Sequence, residues 1–440
     1  MQKPHRSGHR AMRFDLPPLV GALAALVCAL AAPGCGESSA AQISRYPEHE
    51  LARALPNDLG QRSYLHAALF GEERDGLRTS TGFFGSPSEP TLWEMQDAAG
   101  NTVIGGDAKR GHTAHLQIGR DLFRKHCLHC HGVWGRGDGS TAVWLKPMPR
   151  NFWRGKFKFQ SATGSKPTRD DLIQTIRQGA HGTAMPSFRV LEDEVVGAHA
   201  ASLVTGDERL ERALRVDEGM PSPVLEYLAD YVIYLSMLGE VQALAAKDLD
   251  GATAADTTAM AAEVARVVRD DYLLVRDQWV SAAQKVVNPS PSVRRPGFTA
   301  DGALDIVAMY RSVEKGRALF LTKEWQCTQC HGENATGRAP ATDLVDAWQK
   351  TFEKGDGPFE SFPQPADLTL GWYHRGGRAL DQWRQLTLGI SPMPAFSGSA
   401  FPEIDRWHLV NYARAIPYWG ADLKRVPDAV TQAVAQAGGH

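Results

Sequence analysis

Two thiols one helical turn apart, followed at once by a histidine, suit one chemistry in particular. Each thiol can add to one vinyl group of a haem, and the adjacent imidazole then lies over the iron. The chain carries this set twice, as Cys127-Leu128-His129-Cys130-His131 and as Cys327-Thr328-Gln329-Cys330-His331. A bare C-x-x-C also serves zinc sites and thioredoxin-like redox pairs. The flanks argue for haem: each phrase is followed by glycine (Gly132, Gly332) and preceded by Gly-Arg-x-Leu-Phe, at Gly119–Phe123 and Gly316–Phe320. A single all-thiolate zinc site would have to bridge about 200 residues of chain. The residues therefore predict two covalently bound haem c groups, with Cys127, Cys130, Cys327 and Cys330 as attachment thiols. His131 and His331 are the iron ligands on the near face.

A ligand for the far face has to come from a loop. Gly179-Ala180-His181-Gly182-Thr183-Ala184-Met185-Pro186-Ser187-Phe188 is a glycine-containing approach to Met-Pro-x-Phe, and Leu388-Gly389-Ile390-Ser391-Pro392-Met393-Pro394-Ala395-Phe396 is another. A thioether is soft, takes the sixth position of haem iron and raises its potential relative to two nitrogen ligands. Met185 and Met393 are the candidates. Met148 and Met220 also precede proline, and Met148, 17 residues after His131, is the runner-up for the first iron. An unbranched methionine is otherwise core filler. Arg136 and Asp138, in the glycine-rich 132–139 loop, are candidates for contacts at the haem rim. His66, His112 and His115 read as surface histidines.

The elements that must position these residues follow from periodicity and punctuation. A helix is predicted from Ile118 to Cys127, with Gly119 and Phe123 four apart on one face. Others are predicted over 168–178, after Ser222 or Pro223 (Leu225, Leu228, Val232 and Leu235 on one stripe), over 380–387 and over 406–416. Ala-rich 244–287 reads as a helical connector with Asp256 as its N-cap, and 288–298, with three prolines, reads as a linker. Residues 36–115 are loop-rich, with scattered helical periodicity over 49–69, and are expected to wrap the first haem unit. Leu409-Val410-Asn411-Tyr412 echoes Leu228-Ala229-Asp230-Tyr231, so the whole series of features recurs in one order. That is an internal duplication.

At 440 residues a length prior suggests about three domains. A formal charge of -2 gives no sign of a nucleic-acid partner, and 43% hydrophobic with 22% charged residues is ordinary globular composition. Of six cysteines, four sit in the two phrases and none is left for a disulfide framework. Residues 1–14 carry Lys3, Arg6, Arg10 and Arg13 without an acid, and an apolar run from Leu16 to Ala32 follows, as in a secretory signal. Ala32-Pro33-Gly34-Cys35 resembles a bacterial lipobox, which makes Cys35 a lipidation site and the anchor to a membrane. Cleavage near Ser39-Ala40-Ala41 is the alternative. Cys28 belongs to the signal.

The two units, 119–238 and 316–418, resemble class I c-type cytochrome domains. The resemblance implies an all-α fold in which the helix before each haem phrase crosses the last helix of its unit. Gly119 and Phe123 would then meet the Tyr231 helix, and Gly316 and Phe320 the Tyr412 helix. It also implies His131/Met185 and His331/Met393 axial pairs, with a carbonyl near 147–149 or 363–365 taking the other ring nitrogen of each histidine. The expected organisation is a signal peptide (1–34), an N-terminal extension (35–115), a first cytochrome c domain (116–240), a connector and linker (241–300) and a second domain (301–440). The function expected is electron relay outside the inner membrane, as a carrier or as a subunit of a respiratory complex. A peroxidase-like or thiosulfate-oxidising di-haem enzyme, with a replaceable ligand on the first iron, is the alternative.

Overall fold

The computed structural model describes residues 59–71, 73–74, 77–78, 82–85, 90–92, 114–145, 147–164, 166–193, 224–253, 256–338, 365–374, 376–390 and 393–438. The signal segment, Cys28, Cys35, His112, Met220 and most of the 36–115 extension lie outside them. Helices dominate: α1 (Leu59–Phe70), α2 (Ala114–His126), α3 (Leu128–His131), α4 (Arg169–Gln178), α5 (Val224–Asp248), α6 (Thr257–Ala282), α7 (Ile306–Leu321), α8 (Cys327–His331), α9 (Ala379–Leu388), α10 (Glu403–Trp419) and α11 (Asp428–Ala437). One ribbon of two-residue strands, β1 (Glu73–Arg74) and β2 (Leu77–Arg78), pairs antiparallel. The fold is all-α.

Helix α5 is the axis of the first half. Its sequence suggested one apolar stripe, yet Tyr227, Tyr231, Ile233, Tyr234 and Met237 are buried as well. The reason is that α1, α2, α4 and α6 all pack on it, and a helix apolar all round belongs in such a setting. Two charges on this helix are paired. Asp230 is fully buried and takes Arg169 Nε and Nη2 at 2.6 and 3.0 Å. Glu240 pairs with Lys166, which also donates to the Gly155 carbonyl at 3.0 Å. The expected boundary at 240/241 falls inside this helix. From the extension, Leu65, Leu69, Phe84 and Leu92 are buried in the same core. Tyr234 Oη donates to the Phe84 carbonyl at 3.2 Å, and Phe84 lies edge-on to Tyr272 of α6. Asp256 does cap α6, accepting from Ala259 N at 2.8 Å.

In the second half α7 packs across α10, while α9 packs on α10 and α11 on α7. The 288–298 segment is no free tether. Glu403 holds Ser290 through its N–H and hydroxyl at 2.8 and 3.0 Å, and Arg295 Nε donates to Asn411 at 2.7 Å. Val287 and Val293 pack against Trp383, Trp407 and Val410. The prolines that broke helical periodicity shape a strap, and polar contacts from more than 100 residues away fasten it.

Candidate haem sites

Each half builds its site from the same five local devices. The first is a crossing of helices at glycine. A Cβ on Gly119 would collide with the Tyr227 carbonyl and stand 2.9 Å from Tyr231 Cβ; one on Gly316 would collide with the His408 carbonyl and stand 2.8 Å from Tyr412 Cβ. With the backbones this close, Phe123 meets Tyr231 and Phe320 meets Tyr412, both at 5.4 Å between ring centroids. The crossings implied by the resemblance are present.

The second device is the C-x-x-C-H turn, α3 and α8, which ends each crossing helix and places phenylalanine against histidine, 6.4 Å for Phe123–His131 and 6.3 Å for Phe320–His331. The third fixes the imidazole. His131 Nδ1 lies 3.1 Å from the Arg150 carbonyl, and His331 Nδ1 lies 3.1 Å from the Ala366 carbonyl. A carbonyl only accepts, so Nδ1 carries the hydrogen in both bonds and Nε2 keeps its lone pair for a metal. Each acceptor lies one residue beyond the window expected from sequence.

The fourth device explains that offset, and sequence reasoning missed it. Asn151 and Asp367, next to the acceptor carbonyls, each cap a single 3-10 turn, accepting from Trp153 N at 3.0 Å and Thr369 N at 2.9 Å. The first residue of each turn then bonds back to the haem-phrase loop, Phe152 N to Gly135 O at 2.8 Å and Leu368 N to Ala335 O at 2.9 Å. The signal was the shared run Pro-x-Asn/Asp-apolar at Pro149–Phe152 and Pro365–Leu368.

The fifth is the methionine turn. After α4 and α9 the chain reverses at Gly179 (φ 71°) and Gly389 (φ 73°), a left-handed backbone that glycine adopts without strain. Ala180 N then bonds to Met185 O at 3.2 Å and Ile390 N to Met393 O at 3.0 Å. Phe188 N and Phe396 N return to the preceding helix, at Ile176 O and Leu386 O. Met148 lies nearby as well, but the residue two before the other acceptor carbonyl is Gln364, so it has no counterpart. Arg136 lies over the Trp153 ring at 4.1 Å, Asp138 is exposed, and His66 contacts Phe70.

Cys127, Cys130, His131 and Met185 line one continuous cavity of about 1760 Å³ together with Cys327, Cys330, His331 and Met393; Met148 lines it too. At the seam His374 Nδ1 bonds to the His181 carbonyl, and the rings of His181 and Trp372 stack at 6.5 Å. The methionine turn of the first half thus touches the second half directly.

Two segments, 114–201 and 311–412, match the family model described as cytochrome c oxidase, cbb3-type, subunit III. These two segments are similar to c-type cytochrome domains, which supports haem-based electron transfer with haem c as the group the sites imply. Among solved structures, a chain of the reducing HAO-like protein complex of Kuenenia stuttgartiensis is similar at 20% identity, with 68% of this chain and 96% of that chain covered and a TM-score of 0.39. No curated protein matches.

The chain's residues fit haem and fit the rival groups poorly. Burial pushes the Cys127 and Cys327 thiols up to about 12, whereas redox-active cysteines are held low. Among the described residues, no group of three or more His, Cys, Asp or Glu side chains could hold a metal ion by itself. Burial pushes His131 down to about 4, against the opposing effect of its bond to Arg150, and it lowers His331 as well. Both imidazoles are therefore neutral near pH 7, the form that ligates iron.

Proposed function

We propose that this chain relays single electrons through two covalently bound haem c groups, each held by a His/Met pair. Cys127, Cys130, His131 and Met185 would hold the first; Cys327, Cys330, His331 and Met393 would hold the second. The observation that carries this reading is the single cavity. At about 1760 Å³ it exceeds the roughly 300–1,000 Å³ of a single-ligand pocket, and it brings both residue sets together.

A bound haem supplies a one-electron iron couple. The chain's own residues do the rest. The thiols anchor, the carbonyls of Arg150 and Ala366 orient the imidazoles, and the two methionine turns close the far faces against small ligands. Met185 is favoured over Met148 because its turn has a counterpart at Met393. The seam at His181, Trp372 and His374 supports passage between the two sites. The first haem domain is read as running from 116 to the end of α5 at Asp248, and the second as 301–440. Export by the 1–34 signal and tethering through Cys35 put the relay outside the inner membrane, where redox proteins or a respiratory complex supply and take the electrons.

Potentiometric titration tests the ligation. Two waves towards the positive end of the haem range are expected, and Met393→His should lower one of them by a sizeable part of the ~0.8 V that axial ligands span. Wild-type protein that rapidly binds cyanide or turns over peroxide would favour the enzyme reading instead. For the anchor, wild type should fractionate with membranes and Cys35→Ser should not; an unlipidated N-terminus at Ala40 or Ala41 would overturn it.

A further inference from the structure

The two halves carry different charge. Segment 114–201 has thirteen Lys and Arg against seven Asp and Glu, while 311–412 has eleven against twelve, in a chain whose formal charge is -2. The cavity lining repeats the contrast. From the first half it takes Lys125, Arg150 and Lys158 with no carboxylate, and from the second Glu324 and Asp367 with no Lys or Arg.

On the cationic side stands an unusual pair. Val143 is 69% exposed and Trp144 is 83% exposed, consecutive in the single 3-10 turn Ala142–Trp144. Neither lines the cavity, so a haem filling it leaves both open to solvent. The turn is fastened to the haem phrase. Thr141 donates to the His129 carbonyl through N at 3.0 Å and Oγ1 at 2.8 Å, and its Oγ1 reaches Cys130 Sγ at 3.3 Å. Ala142, fully buried, pins the base of the turn. Trp144 therefore lies three residues along the chain from the threonine that touches an attachment thiol.

We propose that this turn, with Val143 and Trp144 at its tip and the cationic mouth beside it, is the surface on which an acidic electron-transfer protein docks at the first haem site. The proposal rests on the relay reading of that site. An exposed tryptophan within a charged surround has the anatomy of a binding hot spot, and complementary charge speeds encounter without needing a tight complex. An anionic lipid surface would also attract cations and tryptophan. Two residues on a tight turn make a poor membrane anchor, however, and their place on the attachment segment serves only a partner that exchanges electrons.

Stopped-flow reduction of the haem-loaded protein by the hydroquinone of an acidic flavodoxin tests this across ionic strength. The wild-type rate constant should fall by about tenfold between low and high salt. Trp144→Ser should slow the low-salt rate several-fold, with haem content and potentials unchanged, while Lys323→Glu in the second half should leave it within about twofold. A rate that does not fall with salt, or that Trp144→Ser leaves untouched, overturns the proposal. So does binding to anionic phosphatidylglycerol vesicles that Trp144→Ser abolishes while the flavodoxin rate stays the same. Failure of the relay reading shows separately, as a missing haem in the mass of the same samples.

Discussion

In the first half α2 crosses α5 at Gly119; in the second α7 crosses α10 at Gly316, and the phenylalanine–tyrosine spacing beside each crossing is the same 5.4 Å. The His–carbonyl bonds match at 3.1 Å, and the reversing glycines before the methionines match at φ 71° and 73°. Away from these parts the halves share little. The first is encased by α1 and α6 and holds the ion pairs Lys166–Glu240 and Arg169–Asp230. The second has a strap and a polar chain, Arg295 to Asn411 to Ser312 to His408, behind its crossing. The difference separates two kinds of constraint. Geometry at the cofactor admits few solutions, so one chain repeats it; the packing behind it admits many, so the halves diverge.

The largest way to break the symmetry is at Glu240, which has no counterpart in the second half. Glu240→Ala leaves the Lys166 ammonium buried without its partner. Removing one member of such a pair costs about 3–5 kcal/mol. Chemical denaturation should show an earlier transition, and hydrogen exchange should rise in α5 and α6 but not in α7 or α10. A transition unchanged within error would mean that the buried pair contributes nothing.

A smaller effect should be shared. Gly119→Ala and Gly316→Ala each force a methyl against a carbonyl of the partner helix, and overpacking of this kind costs about 1–3 kcal/mol. Both variants should lose thermal stability to a similar degree and be recovered with less attached haem. If only one did so, the crossings would not be equivalent.

The smallest effect sharpens the contrast through pH. Asp271 on α6 is buried, its Oδ2 lacks a hydrogen-bond partner, and burial with Asp248 and Asp270 nearby pushes it up to about 6. The folded state then holds this proton more tightly than the unfolded chain does, so stability falls as pH rises from about 4 to about 6. Asp271→Asn should remove that slope and gain about 1–2 kcal/mol at pH 7, measured by denaturation at several pH values. A loss of stability at pH 7 would contradict the assignment.

Much of this arrangement is legible in the sequence because its determinants are local. Gly119 and Phe123, or Gly316 and Phe320, are four apart and mark a helix face. The helix over 168–178, the reversals at Gly179 and Gly389 and the cap at Asp256 are each written within a few residues. What escaped depends on distant partners. The strap over 288–298 reads as a linker until Glu403 and Asn411 are seen to hold it. Helix α5 shows a single stripe until four helices surround it. The acceptor carbonyls moved by one residue because the 3-10 turns after Asn151 and Asp367 set their position. Helix α11 lies beyond the repeat, where no motif drew attention to it.

The central claim is two covalent haems, one for each C-x-x-C-H turn. Intact mass under denaturing conditions tests it directly, on the wild type and on the double replacements Cys127→Ala/Cys130→Ala and Cys327→Ala/Cys330→Ala. The account predicts the mass of the processed chain plus two haems for the wild type and plus one for each double variant. A wild-type chain carrying no haem, or one haem that a single pair of cysteines fully accounts for, would contradict it.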